Sequence, residues 1–134
     1  MKKKRLSITI LLSLIGLLSI SCAPNIEEKY PQIGQYKSDL KELYNEIETK
    51  YAENPTPEDW DTFSQDWVPR LTRAAMEDLN GDVPEEAQGK VSQLNDTKNN
   101  LMYLWNQYNN KITGKNFKEE TVKELKESIE KSLK

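Results

Sequence analysis

The chain carries one thiol, Cys22, and no histidine, and these two facts bound its chemistry. Without imidazole there is no Ser-His or Cys-His nucleophile pair, no usual zinc site and no Glu-x-x-His ligand set of a di-iron bundle. A lone cysteine cannot close an intramolecular disulfide. What remains is carboxylate, lysine, tyrosine or serine chemistry, together with whatever covalent chemistry Cys22 itself undergoes.

Three local patterns come near to known chemistry. Asp78-Leu79-Asn80-Gly81-Asp82 has the acidic oxygens and glycine of a calcium loop. Placing Gly81 at the sixth position of such a loop puts Met76 first and Ala87 twelfth, where carboxylates are required, so the segment reads as a turn. Thr113-Gly114-Lys115-Asn116 has the Gly-Lys of a phosphate-binding loop but neither the earlier glycine nor the following Ser or Thr, and it reads as an interhelix turn. Four acidic pairs (Glu27-Glu28, Glu58-Asp59, Glu85-Glu86, Glu119-Glu120) could serve glycosidase-type hydrolysis only if two carboxylates faced each other across a cleft. Their places at helix starts, where the positive end of the helix dipole favours acids, explain most of them without catalysis. The expectation is a non-enzyme with no metal and no cofactor.

Aromatic residues are the other group able to recognise something. Trp60, Phe63, Trp67, Tyr103, Trp105 and Tyr108 are many for a small helical domain. Core packing is one use of them, and an exposed partner groove is the other. For the groove, Trp67 beside Pro69 and Tyr103 on the outer side of its helix are the partner-binding candidates.

The elements that must position these residues begin with a leader. Met1-Lys-Lys-Lys-Arg5 is a cationic cluster, and Leu6 to Ile20 holds nothing more polar than serine, threonine and glycine. That is the charged region and apolar region of a secretory signal. As a helix the fifteen-residue run would be about 22 Å long, short of the ~30 Å hydrocarbon core. It ends Leu18-Ser19-Ile20-Ser21-Cys22 and turns polar at once. This resembles the lipobox of bacterial lipoproteins, with Ser19 where leucine is usual and Leu18 one place earlier. The resemblance implies a diacylglyceryl thioether on Cys22, cleavage between Ser21 and Cys22, and attachment to a membrane through that lipid. Two acyl chains hold a protein stably where one is marginal. Ala23 is not the aspartate associated with inner-membrane retention, so the expected location is membrane-anchored, facing periplasm or exterior, and at the outer membrane if the cell has one.

Residues 1–21 are thus expected to be a signal peptide, 22–32 a lipidated tether containing Pro24 and Pro31, and 33–134 the folded domain. Ile33, Tyr36, Leu40, Leu43, Tyr44, Ile47 and Tyr51 recur every three or four residues, which predicts an amphipathic helix ending near Ala52 before Asn54-Pro55. Thr56-Pro57-Glu58-Asp59 is a helix start. Trp60, Phe63, Trp67, Leu71, Ala74, Ala75 and Leu79 share the face that follows, with Pro69 expected to kink or split the helix near Trp67-Val68. A third helix from about Pro84 to Thr113 has Ala87, Val91, Leu94, Leu101, Trp105, Tyr108 and Ile112 inward, and Lys98 on that seam is either a snorkelling stem or a polar defect. Asn116 with Glu119 reads as a capping box for a fourth helix with Val122, Leu125, Ile129 and Leu133 inward. On its outer side Glu119 with Lys123 and Glu127 with Lys131 are expected i,i+4 pairs. With no β-like alternation, the predicted fold class is all-α, an antiparallel three- or four-helix bundle.

The stretch Tyr36 to Trp67, with Leu40-Lys-Glu-Leu43, Tyr51 and Thr56-Pro-Glu-Asp-Trp60, is similar to a group of small bacterial lipoproteins of unassigned function. That resemblance implies a lipid-anchored helical domain. Losing Lys2, Lys3, Lys4 and Arg5 with the signal, and no acid, takes the formal net charge from −3 to −7. An acidic domain is a poor partner for phosphate backbones, so nucleic acid is not expected. The expected function is a tethered binder of another envelope component, protein or cell-wall polymer. The alternative is a small-ligand carrier or sensor with a pocket between helices lined by Trp60, Trp67 and Trp105.

Overall fold

The computed structural model describes residues 25–75 and 83–134. Cys22 and Ser21, the whole segment read as a signal peptide and the Asp78–Asp82 segment read as a turn lie outside them. The chain is all-α: α1 Ile26–Lys29, α2 Pro31–Ala52, α3 Pro57–Arg73, α4 Glu85–Ile112 and α5 Glu119–Ser132, with no strand among the described residues. No described helix is long and apolar enough to cross a membrane.

Each long helix forms where its apolar spacing and its end residues agree. α2 buries Ile33, Tyr36, Leu40, Leu43, Tyr44 and Ile47 along one stripe. Past its end Asn54 takes φ +52°, a left-handed turn that asparagine tolerates. Thr56 Oγ1 accepts from the Asp59 amide at 3.2 Å and caps α3, as its sequence predicts. Gly114, at φ +71°, closes the turn after α4.

α4 is the hub. It packs on α2, α3 and α5, and α2 packs on α3. Short connections between α2 and α3 and between α4 and α5 make each pair an antiparallel hairpin. The two hairpins share one core in which Trp60, Trp67, Leu71, Leu94, Leu101, Leu104, Tyr108 and Ile129 are buried together.

Four expectations change. The segment read as a tether is helical from Ile26 onward, and α1 is held down by long-range contacts: Lys29 Nζ and Glu86 Oε1 are 2.5 Å apart, and Tyr30 donates to the same oxygen. α3 runs unbroken through Pro69 but stops at Arg73, so Ala74 and Ala75 lie beyond it. The Asn116 and Glu119 capping box does not form; α5 starts after Lys118, whose amide donates to Gln107 Oε1 of α4 at 3.2 Å. The one ion pair of α5 among the described residues runs between helices, Lys126 to Glu48 at 2.6 Å, and neither expected i,i+4 pair forms.

Lys98 is neither defect nor simple snorkel. Its ammonium donates to the carbonyls of Thr72 at 2.9 Å and Ala74 at 2.7 Å, at the end of α3, where carbonyls lack helical partners.

Candidate functional site

The two partner-binding candidates separate. Trp67 is 0% exposed, and its indole N–H donates to the Leu43 carbonyl at 3.0 Å, so it belongs to the core and offers no surface. Because α3 continues past Pro69, nothing there opens the helix to solvent. Trp60 is buried as well, in edge contact with Tyr108, while Trp105 is half-buried with its N–H donated to Ser64 Oγ at 2.9 Å. Trp60 and Trp67 are thus packed in the core, with Trp105 at its edge. Tyr103 is the opposite case: it is 62% exposed and is the exposed large hydrophobic residue among those described.

The surroundings of Tyr103 follow from helix geometry. Asp96, Tyr103 and Asn110 are seven residues apart, so each is turned only about 20° from the one before and lies ~10 Å further along α4. Asn99, Asn106 and Gln107 flank this line. Between Val91 and Asn110 the charged residues are Asp96 and Lys98 alone, in a chain where 31% of residues are charged. Asparagine is among the weaker helix formers, up to about 0.7 kcal/mol poorer than alanine per position. The exposed face of α4 therefore carries amides that helix formation does not favour.

Beside Asp96 this face opens into a hollow of about 210 Å³ between α4 and α5, walled by Gln93, Asp96, Asn100, Ser128 and Lys131. Its floor is the buried hydroxyl pair of Thr97 and Ser132, whose oxygens are 2.5 Å apart. Asn100 Nδ2 donates to Ser128 Oγ at 3.2 Å across the wall. Among the described residues neither Asp96 nor Lys131 has an ion-pair partner, although both line the hollow.

The 630 Å³ groove along α2, with Phe63 in its wall, carries two ion pairs, Glu46 with Arg70 at 2.6 Å and Lys50 with Glu53 at 3.3 Å. The 530 Å³ groove along α5 also has charges without ion-pair partners among the described residues, but four of its six charged side chains are acidic, so it lacks the one-to-one balance of Asp96 and Lys131.

The described residues hold no group of carboxylates spaced to bind a metal. Glu86 lies below the usual carboxylate range because Lys29 and Tyr30 donate to it. Glu27 is pushed up by burial and pulled further down by Lys37 and Lys90. Glu48 accepts from Tyr108 and pairs with Lys126, while Tyr44 donates to Glu130 at 2.6 Å. Burial, then these carboxylates, push both phenols above the ordinary tyrosine value. This network staples α2, α4 and α5 with its groups turned toward one another.

Set against known protein families, curated proteins and solved structures, the chain finds no match.

Of the candidate residues, then, Tyr103 stands at a surface and Trp67 does not. Asp96, Asn100 and Lys131 escape sequence reasoning because the hollow draws on two helices and has no linear motif. The scarcity of charge in α4 is the one signal that points to it.

Proposed function

We propose that this chain is a lipid-anchored, non-enzymatic envelope protein that binds another envelope component through the face of α4 around Tyr103. The observation that carries the binding reading is the 62% exposure of Tyr103 within a nearly uncharged amide face. Tyrosine gives a rigid, amphipathic contact at small entropic cost, which suits it to recognition. The cationic cluster, the apolar run and Ser21-Cys22 support the anchor: cleavage before Cys22 and lipid on its sulfur.

The two readings fit each other spatially. From Cys22 to the first described residue, Asn25, the chain spans at most about 10 Å. Lipid on Cys22 thereby holds the α1 end of the bundle near the headgroups. α1 is clamped to α4 at Glu86, and Tyr103 lies seventeen residues along α4, about 25 Å away.

Two experiments test the proposal. Cys22→Ser should abolish incorporation of labelled fatty acid and leave the precursor uncut; labelling that persists refutes the anchor. A photo-crosslinking residue at position 103 in intact cells should capture a specific envelope component, and a clean blank there counts against the binding face.

A further inference from the structure

We infer that the hollow between α4 and α5, together with Tyr103 two turns further along α4, is a binding site for a glycan of N-acetylated amino sugars. This inference rests on the proposed binding role and names the ligand class.

The chemistry of the walls selects it. A small-molecule site needs a concave surface and a few placed polar groups that fix orientation. Here Asp96 supplies an acceptor and Lys131 a donor on the walls of one hollow, and neither is held by an ion pair among the described residues. Gln93 and Asn100 add amides able to do both. One carboxylate and one ammonium leave the hollow without net charge, so a phosphate or a polyacid gains nothing there. An uncharged ligand that both donates and accepts fits: the acetamido N–H of an amino sugar donates to Asp96, and its carbonyl accepts from Lys131.

Tyr103 adds the second element. A pyranose ring presents an apolar C–H face and polar edges, and an exposed phenol ring is the complementary platform. Asp96 and Tyr103 lie on one line of α4, ~10 Å apart along its axis, so a chain of sugar rings running along the helix meets the hollow with one unit and the tyrosine with a later one. Asn110 continues the line, and Asn99 and Asn106 flank it, with groups that hydrogen-bond to hydroxyls. A ligand of this kind also explains asparagine on a helix face where lysine and glutamate would fold better.

The test is calorimetric titration of the full chain in detergent with chitotetraose, and with cellotetraose as the same ring chain lacking acetamido groups. Chitotetraose should bind, cellotetraose should bind roughly tenfold more weakly, and Tyr103→Ala and Asp96→Ala should each lower chitotetraose affinity by about tenfold or more. Both residues are exposed, so circular dichroism of the variants should match the parent. Absence of chitotetraose binding, or binding unchanged in Tyr103→Ala, overturns the site. Equal binding of the two sugars overturns the acetamido assignment. A position-103 crosslink that captures a protein while chitotetraose does not bind overturns the glycan and leaves the envelope-binding reading standing; failure of both removes both.

Discussion

The ammonium of Lys98 sits 2.7 Å from the carbonyl oxygen of Ala74, joining the middle of α4 to the residue that ends α3. A second bond to Thr72 at 2.9 Å completes a cap made by a neighbouring helix. A positive charge at a helix C-terminus is favoured by the dipole as well as by the unpaired carbonyls.

Lys98→Met keeps the apolar stem and removes the donors. It should lower stability by roughly 1–2 kcal/mol and the melting temperature by several degrees, read by thermal circular dichroism of the full chain. A melting curve that superimposes on the parent would mean the cap contributes nothing.

Two buried tryptophans should respond differently to the same change. Trp67 donates to Leu43, whereas Trp60 Nε1 is buried with no acceptor among the described residues. Trp67→Phe loses ring volume and a hydrogen bond, for about 2–3 kcal/mol. Trp60→Phe loses similar volume but also removes an unsatisfied donor, so its cost should be smaller. Urea denaturation midpoints measure the order, and a reversed order contradicts these assignments.

Alkaline pH should unfold the domain through its buried phenols. Burial pushes Tyr36 up to about 12, and burial with Glu130 or Glu48 pushes Tyr44 and Tyr108 higher than the ordinary value of 10.0. Because the folded pKa lies above the unfolded one, their contribution is complete below pH 10 and is lost as pH rises through the folded values. Tyrosinate absorbance should therefore show these three residues ionising together with loss of helicity. Their titration at the ordinary value in a fully helical protein would refute the network.

Pro69 lies inside an unbroken α3 and is exposed. Its ring nitrogen has no hydrogen to donate to the preceding turn, a loss that ordinary residues avoid. Pro69→Ala should stabilise the domain by about 1 kcal/mol, after allowing for the added freedom of the unfolded chain. A fall in the denaturation midpoint would show that the ring makes contacts worth more than the missing bond.

Much of this architecture is legible in the residues. The spacing from Ile33 to Ile47 marks a buried stripe that the structure reproduces position by position, and Thr56 announces the start of α3. α1 is not legible: four residues cannot hold a helix alone, and its clamp at Glu86 is 57 positions from Lys29. In α4 the structure buries Leu104 and leaves Trp105 half-buried, where the spacing placed Trp105 inward. A helix contacted on three sides buries a wider arc than one seam, so a single three-and-four series undercounts it.

Sequence by itself determined an all-α chain, the end of α2, the start of α3, both ends of α4 and a single cysteine placed at the close of an apolar run. These are local properties, set by a repeat of 3.6 residues, by capping groups and by composition. Only the tertiary structure decided that Trp67 is interior and Tyr103 is not, and that Asp96 and Lys131 wall one hollow. Periodicity orients each side chain relative to its own helix axis. Which arc of that helix meets a neighbour depends on how four helices pack at once, and no segment of the chain encodes that alone.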